Sequence, residues 1–186
     1  MKFIKLVNEI LSEENLDIEY FDAINQKDMI KLKRMVNIAA DKAGYNVSGT
    51  HITDSIFSSF DLDKFGENDF GYFGKGFYFG AGHWDKENAK KRAIWYPNKL
   101  EGKYCLYVYL KLGNNIRQFA GESQLGSGIK NEYDSMTIRD PYTGIDSEYV
   151  VKHPYQIKSA DPITYIDNKI VPLSHRFNDQ SNNIML

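Results

Sequence analysis

Residues 103–112, "KYCLYVYLKL", constrain the fold more than any other stretch. Tyr104, Leu106, Val108, Leu110 and Leu112 fall on every second position, with Cys105, Tyr107 and Tyr109 between them. A period of two marks a strand with two unlike faces. Its Leu/Val face has to be covered by another layer, so the chain must build a sheet with a core against it. At 186 residues there is length for one domain with a substantial core and barely for two.

Ahead of that strand the period is helical. Phe3, Leu6 or Val7, and Ile10 recur at helical spacing in "MKFIKLVNEIL". In "KDMIKLKRMVNIAADKAGY" an apolar stripe of Leu32, Met35, Val36, Ala39 and Ala43 is set against Lys31, Lys33, Arg34 and Asp41, with Gly44 placed to stop the helix. "YNVSGTHIT" reads as a short strand broken at Gly49 and running into a turn. Residues 54–70 read as an irregular loop. Asp85 is placed to cap a helix through "KENAKKRAIWY", stopped by Pro97. Residues 113–145 read as a long polar connection. "SEYVV" is a short strand, "PITYI" and "KIVPL" form a pair turning at Asp167–Asn168, and the polar tail after Leu173 is expected to fray. Helices first, then strands split by one helix, give an α+β domain.

Charge and composition remove several functions. Twenty-three Lys and Arg against 25 Asp and Glu leave a formal charge of −2, which gives no general attraction to nucleic acid or anionic lipid. No run approaches the roughly 20 apolar residues of a membrane span, so no membrane partner is expected. The N-terminus has neither the apolar core nor the cleavage site of a signal peptide. One cysteine, Cys105, excludes an internal disulfide and a cysteine-based zinc site, and its place in a strand favours a packed thiol. A cytoplasmic protein is the expectation. There is no P-loop, no GxGxxG within a βαβ unit and no GxSxG. The four histidines, His51, His83, His153 and His175, lack the spacing of a metal motif, and no metal is expected.

Three stretches remain: "SGT" (Ser48 to Thr50), "GKGFYF" (Gly74 to Phe79) and "SEYVV" (Ser147 to Val151). Taken singly they read as a turn, a packed aromatic hairpin and an exposed Glu. The second belongs to "GYFGKGFYFGAGHW", where glycines that permit close approach alternate with flat aromatic rings. In order, and with "AADKAGY", "KENAKKRA", "YLKLGNN" and "EYVVKHPYQIKSA", they resemble the ADP-ribosyltransferase superfamily. The likeness is to its diphtheria-toxin and poly(ADP-ribose)-polymerase branch, nearest to transferase domains of phage and mobile-element polyvalent proteins. It covers roughly residues 20–167.

The resemblance implies a split two-sheet fold that binds NAD in a cleft. It implies residues 1–44 as an N-terminal helical segment packed on a catalytic domain at 45–173, followed by a polar tail at 174–186. It assigns NAD binding to Ser48, Gly49, Thr50, Gly76, Phe77 and Tyr78. Within that set, the Gly49 backbone would hold the nicotinamide carboxamide, the Tyr78 ring would pack along nicotinamide, and Gly74 and Gly76 would let the segment fold beneath it. Glu148, catalytic together with Tyr78, would bind the nicotinamide ribose and stabilise the positive charge of an oxocarbenium-like transition state. Asp146 would help position the acceptor, and "MTIRDPYTGID" (Met136 to Asp146) would be the substrate-recognition loop. The implied activity is mono-ADP-ribosyl transfer from NAD to a macromolecule, a protein first and nucleic acid second, with no metal. The alternative is a degenerate NAD-binding or partner-binding module of the same fold. One departure bears on that choice. Where the family carries histidine before "GT", a residue that contacts the adenosine ribose, this chain has Ser48, with His51 three residues on as a candidate replacement.

Overall fold

A computed structural model describes residues 15–64, 75–83, 104–119, 132–140 and 143–186. Helix α1 runs over 15–25 and α2 over Met29–Lys42. The Asp28 carboxylate caps α2 by accepting from the Lys31 N–H at 2.9 Å. Leu32, Met35, Val36 and Ala40 are its buried stripe, and Gly44, at φ +85°, lets the chain leave. That stripe packs with Tyr20, Tyr45, Leu173 and Phe177, and the cluster reaches the ring of Tyr109.

The strands are β1 (Val47–Thr53), β2 (Phe77–Ala81), β3 (Tyr104–Leu110), β4 (Ile116–Phe119), β5 (Ser135–Arg139), β6 (Asp146–Val151) and β7 (Ile157–Ser159). They form one sheet in the order β4-β5-β6-β2-β1-β3-β7, antiparallel except for the parallel pair β4–β5. A separate hairpin joins β8 (Tyr165–Ile166) to β9 (Lys169–Ile170). Its turn residues Asp167 and Asn168 have φ of 50° and 62°, the left-handed pair that a tight hairpin needs. The chain is α+β.

The sheet is narrow-waisted. β1 pairs with β3 along its whole length, yet with β2 only at Gly49–Ala81 and Thr50–Gly80. A four-stranded half, β4-β5-β6-β2, thus meets a three-stranded half, β1-β3-β7, at one short seam. A second tie is the buried amide of Gln156. Its Nε2 donates to the carbonyls of Lys111 and Asp134, at 2.9 and 3.2 Å. Its Oε1 accepts from the N–H groups of Lys152 and His153, at 3.0 and 2.9 Å. Lys111 follows β3 while Asp134 and Lys152 flank β5 and β6, so one side chain fastens both halves.

The two faces differ. Phe77, Phe79, Val108, Leu110, Leu112, Val151 and Ile157 point to one side, where Phe60 and Ile184 close an apolar core. Val108, Leu110 and Leu112 are where the alternation placed them, with Tyr107 and Tyr109 on the other side. On that other side Phe119, Met136, Ile138 and Val150 form a buried patch under the Tyr78 ring.

Three expectations are corrected. "SGT" is the middle of β1 rather than a turn, because Gly49 fits beneath its neighbours: an added Cβ would lie 3.0 Å from Leu110 Cδ1 and from Phe79 Cβ. The connection 113–145 contains β4 and β5, so Met136 to Arg139 of the supposed recognition loop are strand. Met136 and Ile138 alternate into the buried patch, a run too short to stand out in a polar segment. The tail is built in rather than frayed. Ile184 is buried, its carbonyl accepts from Ser159 N–H at 2.7 Å, and its N–H donates to Ser58 O at 2.8 Å. Lys158, also buried, donates its ammonium to the carbonyls of Ser181 and Asn183. The expected helices at the N-terminus and after Asp85, together with Gly74 and Trp84, lie outside the described residues.

Candidate functional site

The strand register places most of the sequence-derived residues on one patch. Tyr107, Thr50, Gly80, Glu148 and Ile138 stand in a single row across β3, β1, β2, β6 and β5. Directly opposed residues share a face. Glu148 therefore lies on the same side as Val150 and the Ile138 patch, and Tyr78, two residues before Gly80, joins them from β2. The seam between the half-sheets runs beneath this row.

Glu148 is the candidate chemical centre of this patch. It is half-buried beside Ile138, and among the described residues nothing donates to its carboxylate. Burial without a partner disfavours the charged form. The carboxyl is accordingly pushed up from an ordinary 4.5 to about 7, by desolvation. Its β2 neighbour is Gly80, where an added Cβ would meet, among the described residues, nothing closer than the Thr50 carbonyl at 3.8 Å. Among the described residues the row thus has an open place beside the carboxylate. Sequence reasoning passed over Gly80, although its parity with Tyr78 was readable.

The other predicted residues divide. Ser48 is half-buried opposite Tyr109. Thr50 is buried and its hydroxyl donates to Gly82 O at 2.7 Å, so it serves the β2 turn. Gly49 lies mid-ladder, between Ala81 and Val108, and its missing Cβ faces the apolar core, which accounts for glycine there without a ligand. Gly76 leads into β2. Phe77 packs on Phe60 on the opposite side of the sheet from Tyr78 and Glu148. Asp146 is paired with Arg139 Nε at 3.2 Å, beyond a register shift in β6, so its carboxylate is already engaged.

His51, the candidate replacement for the histidine that the resemblance expects, lies on the opposite face of the sheet from Ser48 and Thr50. It is odd in register where Ser48 and Thr50 are even, and its ring packs with Phe57, Phe60 and Phe79. Its Nδ1–H donates to Tyr78 O at 2.9 Å, and burial lowers its pKa. On the Tyr face a different histidine is present. Gly82, at φ +93°, turns the chain after β2 and delivers His83 between the rings of Tyr107 and Tyr109, at centroid distances of 5.8 and 5.2 Å.

No protein-family model, curated protein or solved structure matches the chain. Among the described residues no group of three or more His, Cys, Asp or Glu side chains is arranged to hold a metal, and no helix is long and apolar enough to cross a membrane.

Proposed function

We propose that the chain is a mono-ADP-ribosyltransferase that moves ADP-ribose from NAD to a macromolecular acceptor, a protein in the first instance. The observation that carries this reading is Glu148: a half-buried carboxylate without a donor among the described residues, beside the open place at Gly80 and on the face of the Tyr78 ring. A carboxylate that gives up its hydration without a partner inside the protein is suited to a ligand that brings positive charge. The narrow seam between β1 and β2 supports the split two-sheet form of the fold.

In the reaction, the bond between nicotinamide nitrogen and ribose C1′ breaks, and its electron pair leaves with nicotinamide, which departs neutral. C1′ becomes cationic in the transition state. Ionised Glu148 beside it lowers the barrier because the attraction grows as the charge develops. The acceptor nucleophile then bonds to C1′ and releases its proton to water. Tyr78 supplies a flat ring for nicotinamide. Ser48, with its short side chain, favours a second reading in which NAD is bound and not cleaved.

The test is transfer of labelled ADP-ribose in a cell lysate by the wild type and by Glu148→Gln. Labelling by the wild type alone is expected, with a loss of roughly 10²–10³ in the variant. Equal labelling by both overturns the mechanism. NAD binding without nicotinamide release establishes the second reading.

A further inference from the structure

We infer that His51 is a positioning residue for Tyr78: from the core side of the sheet it holds the backbone whose ring, on the other side, faces the ligand. The inference deepens the reading of the site as a NAD cleft and rests on it. His51 Nδ1 lies 2.9 Å from the carbonyl oxygen of Tyr78. A carbonyl only accepts, so Nδ1 carries the hydrogen, and it does so in the neutral and the protonated ring alike.

The contact falls where the sheet is weakest. β1 and β2 pair at Gly49–Ala81 and Thr50–Gly80, and the pairing goes no further toward Tyr78. On its other flank Tyr78 is held in the register of β2 with β6, opposite Val150. Toward β1 the His51 side chain spans the place where the ladder has lapsed. The residue next to Thr50 in β1 thereby reaches the residue two before Gly80 in β2.

The imidazole is itself gripped. Its ring meets those of Phe60, Phe79 and Phe57 at centroid distances of 5.1, 5.5 and 6.4 Å. An apolar side chain fills such a space without shedding hydration, so the polar ring is accounted for by its bond. A donor fixed by three rings sets how far Tyr78 stands from β1, and with it the place of the Tyr78 ring over the seam. Glu148 is outside this set of contacts, since Gly80 of β2 and Ile138 of β5 flank it. Losing the donor therefore weakens the hold on nicotinamide and leaves the reaction of bound NAD as it is.

The experiment measures NAD affinity by calorimetry, and kcat and KM for nicotinamide release, in the wild type, His51→Phe, His51→Asn, Tyr78→Ala and the double variant of Tyr78→Ala with His51→Phe. Phenylalanine keeps a ring among the other three and removes the donor. Asparagine gives up the ring and retains an N–H near the place of Nδ1. His51→Phe is expected to bind NAD about tenfold more weakly, the equivalent of one hydrogen bond, with KM raised and kcat unchanged. His51→Asn is expected to bind as the wild type does. A histidine that only packs gives the reverse order, and that result overturns the inference. Weakened binding by His51→Asn overturns it without regard to how the phenylalanine variant folds. With Tyr78→Ala already present, His51→Phe is expected to cost nothing more, because its effect passes through the ring. An undiminished second loss overturns the inference too. Absence of NAD binding by the wild type removes the inference together with the functional reading, whereas binding without these differences removes the inference alone.

Discussion

The hydroxyl of Thr50 donates to the carbonyl of Gly82, 2.7 Å away, and so couples the centre of β1 to the turn that carries His83. Thr50→Val keeps the shape and deletes the donor. Thr50 is buried, so the orphaned carbonyl should cost about 1–2 kcal/mol, read as a lower urea midpoint. The His83 imidazole resonances should move as well. Unchanged resonances would show that the turn is held without Thr50.

Glu148 should make stability depend on pH in the direction opposite to a paired carboxylate. The folded chain keeps this proton up to about pH 7, whereas an ordinary glutamate releases it near 4.5. Between those values the folded state binds more protons than the unfolded state, so the group's contribution to stability falls as pH rises through the window. Glu148→Gln should therefore melt higher than the wild type at pH 8, by at most about 3 kcal/mol, and equally at pH 4. Parallel melting curves across that range would show that the carboxylate is not desolvated.

On the proposed function, the same ionisation should shape activity. The carboxylate is the working form, so nicotinamide release should rise through about pH 7 and level off above it. A flat profile between pH 6 and 8 would assign the rate to a different group.

Gln156 should be far more important to stability than an exposed glutamine. Gln156→Ala leaves two carbonyls and two N–H groups without their partner at a buried position. A loss of about 2–4 kcal/mol in denaturant titration is expected, since these bonds act together. A loss below about 1 kcal/mol would mean that the half-sheets do not depend on this tie.

Lys158 should secure the C-terminal tail. Burial pulls its ammonium down to about 8, and its partners are the carbonyls of Ser181 and Asn183. Lys158→Met fills the space without bonding them, so limited proteolysis should begin to cut within 178–186 in the variant. Equal protection in both proteins would place the anchor at Ile184 instead.

The sequence was most informative where a side-chain period ran long enough to be measured. The α2 stripe, the two-faced β3 and the Asp167–Asn168 turn are all present in the fold. β4 and β5 were hidden because four or five residues with one or two inward apolar groups do not establish a period. Within the site, Glu148 and Tyr78 share a face because strand parity and register carry them there. The same parity turns Phe77 to the Phe60 side, away from them. The sequence leaves open whether His83 joins the site or starts the next helix, because its place depends on a turn at Gly82 fastened by Ser48 and Thr50, more than thirty residues earlier.

The strand order also governs how the molecule is made. β2, at residues 77–81, sits between β1 and β6, and β6 is synthesised some seventy residues after it. A nascent chain on the ribosome therefore carries Tyr78 on an open edge until residues 146–151 have emerged, and such distant pairings form slowly. Completion of the Glu148 row is therefore a late event in synthesis, and the half-made protein lacks the assembled row.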